Sequence, residues 1–153
     1  MRRHIRIASS AAATGAVIAG ATAAIAATQP DGGTNTGPAV DAVSALPSMN
    51  DTTRPGSYIL LVTDGEPNCG GDLSSVLSEL RALRSSIGVE TFVLGIPGTD
   101  SSLISALNQM ADAGGRALTG STHYYDASTA STLNASLRSI VSTASCLYPL
   151  GRT

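Results

Sequence analysis

Short apolar runs alternate with segments of helical periodicity along this chain, and this alternation restricts the fold more than any other feature of the sequence. Ser57 to Thr63 and Val89 to Ile96 are rich in aliphatic and β-branched residues and predict strands, and His123 to Ser128 predicts a shorter strand that ends at Asp126. Strands that alternate with helices predict an α/β fold: a doubly wound, Rossmann-like parallel sheet with helices on both faces.

The helical segments have recognisable ends. Pro38 suits a first helical turn, Asp72 is a good N-cap, and Gly88 ends the helix that Asp72 begins. The predicted helices cover about Ala39–Leu46, Asp72–Ser86 and Ser128–Thr143, and one more helix is predicted between a cap at Asp100 or Ser101 and an end at Gly114-Gly115. The predicted core consists of Leu60, Leu61, Val62, Phe92, Val93 and Leu94 in adjacent parallel strands, covered by Leu77, Leu80, Leu107 and Leu137 from the helices.

Length and composition limit the class of protein. The chain has 153 residues, enough for one ordinary domain, and its 42% apolar and 13% charged residues predict a folded chain. A net charge of −2, with no basic stripe after the first residues, argues against a nucleic-acid partner.

The first 29 residues form an Ala-rich segment with two interpretations. Arg2, Arg3 and Arg6 precede a charge-free run, which is typical of a secretory signal peptide cleaved near Ala26 or Ala27. Alternatively, Ala16 to Ala27 is a helix of the folded domain. The run is too weakly hydrophobic for a stable membrane span. The predicted organisation is therefore this segment over 1–29, a domain over 30–145 and a tail over 146–153.

The two cysteines, Cys69 and Cys146, are predicted not to pair with each other. Cys69 follows the first strand, at the carboxyl edge of the sheet, whereas Cys146 follows a helix that runs back to the opposite edge. Roughly 16 helical residues at about 1.5 Å each span on the order of 24 Å. A disulfide needs Cα atoms within about 7 Å. An ordinary disulfide in an exported chain is the alternative.

A candidate ligand site lies where the first strand ends. Ligands of parallel α/β sheets bind beyond the carboxyl ends of the strands, and Asp64 follows Thr63 directly at such an end. The alternative is that Asp64 and the upstream Thr34 only cap local turns by bonding nearby N–H groups.

Two motifs carry a family resemblance. The stretch "GGTNTGPAV" (Gly32 to Val40), followed by "YILLVTDGEPN" (Tyr58 to Asn68), resembles the von Willebrand factor A domain, here in a bacterial form, over roughly Ala23 to Ser145. The resemblance implies that Thr34 and Asp64 contribute to a metal-ion-dependent adhesion site for Mg²⁺ or another divalent cation. It implies a non-enzymatic binding or adhesion module that is secreted or located in the cell envelope, and whose partner is a protein ligand of unknown identity.

One motif of that family is missing. The family places DxSxS at the end of its first strand, upstream of the loop threonine, and no Asp in this chain has Ser at both +2 and +4. We therefore expect an N-terminally incomplete domain, with Met1 a misassigned start or the start of a signal peptide. Metal binding should be weak or absent, and strand 57–63 should expose an unpaired apolar edge.

Two other functions stay open. The chain could be a truncated gene fragment without independent activity, or a hydrolytic or phosphoryl-transfer enzyme that uses Asp64. No GxSxG or P-loop motif is present, and an enzyme would need a second acid or base near Asp64. His123, beside Tyr124 and Tyr125, is predicted to pack on the sheet face and not to act as a base.

Overall fold

The structure, a computed structural model, describes residues 33–51, 57–98 and 100–146. The two interpretations of residues 1–29 lie outside the described residues, as does nearly all of the predicted tail. The described elements follow in the order α1 (Thr36–Ser44), β1 (Tyr58–Thr63), α2 (Leu73–Ile87), β2 (Glu90–Gly95), α3 (Ser101–Gly114), β3 (Tyr125–Asp126) and α4 (Ala130–Cys146).

The described strands form one parallel sheet in the order β1-β2-β3. β1 and β2 pair along their whole length, from Tyr58 opposite Glu90 to Thr63 opposite Gly95. β3 pairs with β2 only at Tyr125 and Asp126. The predicted α/β fold and the predicted neighbourhood of the first two strands are confirmed.

The helix ends follow from local chemistry. Asp72 Oδ1 accepts a hydrogen bond from the Ser75 N–H at 2.9 Å and begins α2. Gly88 ends α2 in the left-handed conformation at φ 69°, which glycine adopts without strain. α1 begins at Thr36, earlier than the predicted Ala39, so that its proline lies within the first helical turn.

The third strand is shorter than predicted. Ser128 does not continue a strand, because its N–H donates to Asp126 Oδ1 at 2.9 Å and turns the chain. Thr129 then caps the last helix, since its hydroxyl accepts from the Thr132 N–H at 3.1 Å. α4 therefore begins at Ala130 and extends to Cys146, beyond the predicted end at Thr143.

Each face of the sheet has its own apolar cluster. On one face, α1, α2 and α3 cover the sheet, and Leu77, Leu80, Val93 and Leu107 are buried as predicted. On the other face, Phe92 and Leu94 are buried as predicted. Their cover comes from α4 through Ile140, with Leu133 partly buried beside it.

The predicted burial is wrong for four residues, one of which, Leu61, is partly buried. Leu60 is 44% exposed and Val62 is 55% exposed, and Leu61 is only partly buried. Leu60 and Val62 lie on the α4 face, but α4 packs over β2 and β3, and β1 is at the edge of the described sheet. Leu137 is also wrong, at 37% exposed, because α4 turns Ile140 toward the sheet instead.

Arg116 joins the amino ends of the first two strands. Its guanidinium pairs with the Glu90 carboxylate and donates to the Tyr58 hydroxyl at 3.2 Å. The same group lies 5.2 Å from the centre of the Tyr58 ring and 5.7 Å from that of Phe92. This contact fixes the end of the sheet away from the candidate site.

Candidate metal centre at the carboxyl edge of the sheet

The turn after β1 is closed by Thr63. Its hydroxyl donates to the Gly65 carbonyl at 2.9 Å and accepts from the Gly65 N–H at 3.3 Å. These bonds perform the capping role that the turn interpretation would have given to Asp64.

The Asp64 carboxylate is left exposed by this arrangement. Within the ranges that the structure describes, no hydrogen bond or ion pair engages it. A charged group at the carboxyl end of a parallel strand, free of local capping, is available to a ligand. The local-cap alternative therefore has no support for this residue.

Asn68 joins the Thr34 loop to the loop after β1. Its Oδ1 accepts from the Thr34 N–H at 2.6 Å, and its own N–H donates to the Thr34 carbonyl at 3.2 Å. Both backbone groups of Thr34 are thereby fixed, while no described residue bonds its hydroxyl. Sequence reasoning missed Asn68, because an Asn in a polar loop is ordinarily a turn residue.

Two glycines allow this close approach. A Cβ on Gly65 would lie 2.7 Å from Thr34 Oγ1, so the hydroxyl packs directly against the residue that follows Asp64. A Cβ on Gly33 would lie 2.2 Å from Asn68 Oδ1 and could not be accommodated. The structure therefore places the two predicted ligand residues at one edge, with their side-chain oxygens unused by described residues.

Other aspartates near this edge are engaged in capping. Asp126 accepts from the N–H and the hydroxyl of Ser128, both at 2.9 Å. Asp100 accepts from the hydroxyl and the N–H of Ser102, and these bonds hold the pKa of Asp100 below its usual value. These carboxylates stabilise turns and helix starts, unlike that of Asp64.

The donor set suits a hard cation only in part. Mg²⁺ prefers oxygen ligands in octahedral geometry and retains several waters, so a hydroxyl and a carboxylate are suitable donors. They are also few: the part of the chain that the structure describes contains no cluster of three or more His, Cys, Asp or Glu residues able to hold a metal. Thr34 and Asp64 fit a cation that is bound largely through water.

A comparison with known families identifies the family of this chain. The family model of the von Willebrand factor type A domain matches residues 10–140. The chain belongs to this family. Its domains are generally non-enzymatic interaction modules, and they typically bind a divalent metal at an adhesion site and are often extracellular or associated with the cell envelope. No curated protein and no solved structure matches the chain significantly.

Two further residues complete the account of the loops. His123 does not pack on the sheet face as predicted; its Nδ1 lies 2.8 Å from Asp112 Oδ1, and its Nε2 lies 3.1 Å from the Gly120 carbonyl oxygen. It therefore fixes the loop before β3 onto α3. Cys69 is exposed near the candidate site and forms no disulfide with a described side chain. The side chain of Cys146 is outside the description, so their predicted failure to pair stays a prediction.

The described helices contain no segment that is both long and apolar enough to cross a membrane.

Proposed function

We propose that this von Willebrand factor type A domain is a protein-binding or adhesion module whose metal-ion-dependent adhesion site is degenerate. Thr34 and Asp64 would hold the cation, Mg²⁺ or another divalent ion, and water would supply the other ligands. The observation that carries the proposal is the exposed Asp64 carboxylate, left free by the Thr63 cap and set beside the Thr34 loop that Asn68 fixes.

The missing DxSxS motif determines the expected strength of binding. A cation held by one carboxylate and one hydroxyl keeps most of its water, so its affinity for the protein should be low. The open coordination positions would then be available to an acidic side chain of a protein ligand. The domain would recognise its partner through a carboxylate at this edge, with the cation between two negative groups.

Titration calorimetry with Mg²⁺ and with Mn²⁺ on the purified chain tests the site. We expect weak binding that Asp64→Asn removes, because the substitution removes the carboxylate charge that would bind the cation. Asp100→Asn is the matched control, since Asn also caps helices well and the turn should be retained. Binding that survives Asp64→Asn would refute the assignment. Micromolar binding lost in that variant would show a more complete site than we propose.

We further propose that the protein acts outside the cytosol, as a secreted or cell-envelope protein. The charge-free run after Arg2, Arg3 and Arg6 and the usual location of the family support this. Fractionation of cells that express the full chain with a C-terminal tag tests it. Recovery of full-length protein in the cytosol alone would contradict it.

The alternatives from the sequence have direct tests. If the chain is a fragment of a longer gene, the DNA upstream of Met1 should continue in frame through a strand and a DxSxS motif. If it is a hydrolytic or phosphoryl-transfer enzyme, the pure chain should turn over an activated ester or phosphate in a way that Asp64→Asn abolishes. No contact in the described residues places a second acid or base on Asp64.

A further inference from the structure

Asp64 and Gly65 form an aspartyl-glycine pair just after β1. Asp64 is exposed, and the pair lies in the bend that follows Thr63, the last residue of the strand. Glycine has no Cβ, so the carboxyl group that precedes it approaches its main-chain nitrogen without steric hindrance from a side chain. The pair can therefore close a succinimide ring, in which the Gly65 nitrogen is bonded to the Asp64 carboxyl carbon.

The hydrogen bonds of this turn leave both reacting groups accessible. No described residue bonds the Asp64 carboxylate, because Thr63 closes the turn in its place. Among the described residues, the Gly65 N–H donates to Thr63 Oγ1 alone, at 3.3 Å, which is longer than the usual range for such a bond. Neither group has to break a strong hydrogen bond before the two approach each other.

The other described aspartates are not followed by glycine, and most of them are engaged by neighbouring groups. Asp72, Asp100 and Asp126 accept capping hydrogen bonds. Asp112 contacts the His123 ring at 2.8 Å. Asp64 is the one described aspartate that combines a free, exposed carboxylate with a glycine neighbour.

The packing of the Thr34 loop requires the glycine of this pair. A Cβ at position 65 would lie 2.7 Å from Thr34 Oγ1. Any other residue there would displace the Thr34 hydroxyl, so the close approach of the two loops and the reactive pair depend on the same glycine.

We propose that Asp64-Gly65 is a site of spontaneous isoaspartate formation in the folded protein. The Gly65 nitrogen forms a bond to the Asp64 carboxyl carbon, and one carboxyl oxygen leaves as water with the amide proton and a proton from solvent. Water then opens the ring. Attack at the side-chain carbonyl restores aspartate, whereas attack at the main-chain carbonyl leaves the peptide link through Cβ and a carboxylate on Cα. The product has the same composition as the starting chain, so the reaction needs no oxidant and no cofactor.

Isomerisation changes the end of β1 in two ways. It lengthens the main chain by the Cβ atom of Asp64, and it moves the carboxylate from the side chain to the main chain. The isomerised protein should therefore bind the cation less tightly, a consequence that rests on the proposed function, whereas the isomerisation itself does not.

Ageing of the purified full chain for several weeks, at neutral pH without divalent cations, tests the proposal. A protease that cleaves before aspartate but not before isoaspartate should then leave peptide 51–71 uncut, in place of 51–63 and 64–71. Methylation of this peptide by an isoaspartate-specific methyltransferase confirms the product. Peptide 1–40 reports separately on Asp31-Gly32, the same dipeptide outside the described residues.

Ser101→Gly is the matched control, because it gives Asp100 a glycine neighbour while the capping bonds from Ser102 stay available. We expect Asp64 to convert about fivefold faster than Asp100 in this variant, the factor expected when a carboxylate must first break a capping bond of typical strength. Circular dichroism before ageing verifies the fold. An intact Asp64, or equal conversion of the two aspartates, would overturn the proposal.

Calorimetric titration of the aged protein with Mn²⁺ examines the consequence for the metal site. We expect the fraction of protein that binds the cation to fall in step with the fraction isomerised at Asp64. Full isomerisation with unchanged cation binding would support the isomerisation and refute the role of Asp64 as a ligand, so the two proposals fail independently.

Discussion

β1 and β2 have the same length and similar composition, yet they lie in different surroundings. Both have six residues, and they pair with each other over their full length. β2 is buried from Thr91 to Gly95, whereas β1 exposes Leu60 and Val62. The difference shows that an apolar run predicts a strand but does not by itself locate that strand in the sheet. Neighbours on both sides and both faces decide burial.

Truncating one leucine in each strand should give the largest difference in stability between the two strands. Leu94 is 3% exposed and Leu60 is 44% exposed. Leu94→Ala should lower the free energy of unfolding by about 2–5 kcal/mol, because it opens a cavity between the sheet and α4. Leu60→Ala should lower it by less than about 1 kcal/mol, because the Leu60 side chain is still partly in contact with water in the folded protein.

Urea denaturation with linear extrapolation measures both values. Equal losses for the two variants would mean that β1 is as buried as β2, and the comparison between the strands would fail.

Replacing the glycines at the carboxyl ends of the two strands by alanine should give a smaller difference in stability. A Cβ at Gly95 would lie 2.6 Å from Leu107 Cδ1 inside the core, and a Cβ at Gly65 would lie 2.7 Å from Thr34 Oγ1 near the surface. Gly95→Ala should destabilise the fold by about 1–3 kcal/mol through overpacking. Gly65→Ala should change stability by less than about 0.5 kcal/mol.

Thermal unfolding, with calorimetric metal titration alongside, separates the two effects. Gly65→Ala displaces the Thr34 hydroxyl, so any cation binding should weaken even though the fold is kept. If the Gly65→Ala protein binds the cation as well as the wild type does, Thr34 is not a ligand in the proposed site.

The smallest predicted effect on stability comes from Glu79 of α2, which lies near Asp41 of α1. Burial raises the pKa of Glu79 above its ordinary value of 4.5, and the nearby Asp41 carboxylate adds to the rise. The folded protein thus holds this proton more tightly than the unfolded chain. The stabilising contribution is complete below the ordinary pKa and is lost as the pH rises through the raised pKa.

Glu79→Gln should therefore be more stable than the wild type at pH 7, by about 0.5 kcal/mol, the size typical of partly exposed charges. The gain should disappear below the ordinary pKa of Glu79. Denaturation midpoints across this pH range measure it, with Glu66→Gln as an exposed control that should be neutral. A constant difference at all pH values would show that the carboxyl proton is not involved.

Local signals carried most of the fold prediction. The alternation of strands and helices gave their order and the pairing of β1 with β2, and Asp72 and Gly88 marked the ends of α2 because caps depend on nearby atoms alone. The exposure of Leu60 and Val62 could not be read in this way, since it depends on which elements lie beside and above the strand.

Only part of the candidate site could be predicted, because only part of it depends on residues that are neighbours in the sequence. Asp64 could be placed at a strand end from the run that precedes it. The role of Asn68 could not, because its contact with Thr34 joins residues that are 34 positions apart in the chain. The capping by Thr63 was also hidden, since "TDG" offers two side chains that could close the same turn and Asp is the commoner choice.

The short pairing of β3 with β2 has a consequence for local opening of the folded protein. β3 meets β2 at only two residues, and α4 reaches the sheet mainly through Ile140. β1, β2 and the three helices on their other face share a larger apolar cluster. We therefore expect two cooperative units in native-state hydrogen exchange, with the amides of β3 and α4 exchanging through a sub-global opening of lower free energy than those of β2. The Tyr125 and Phe92 rings, whose centres are 5.8 Å apart, would separate in that opening and expose β2 to solvent on one face.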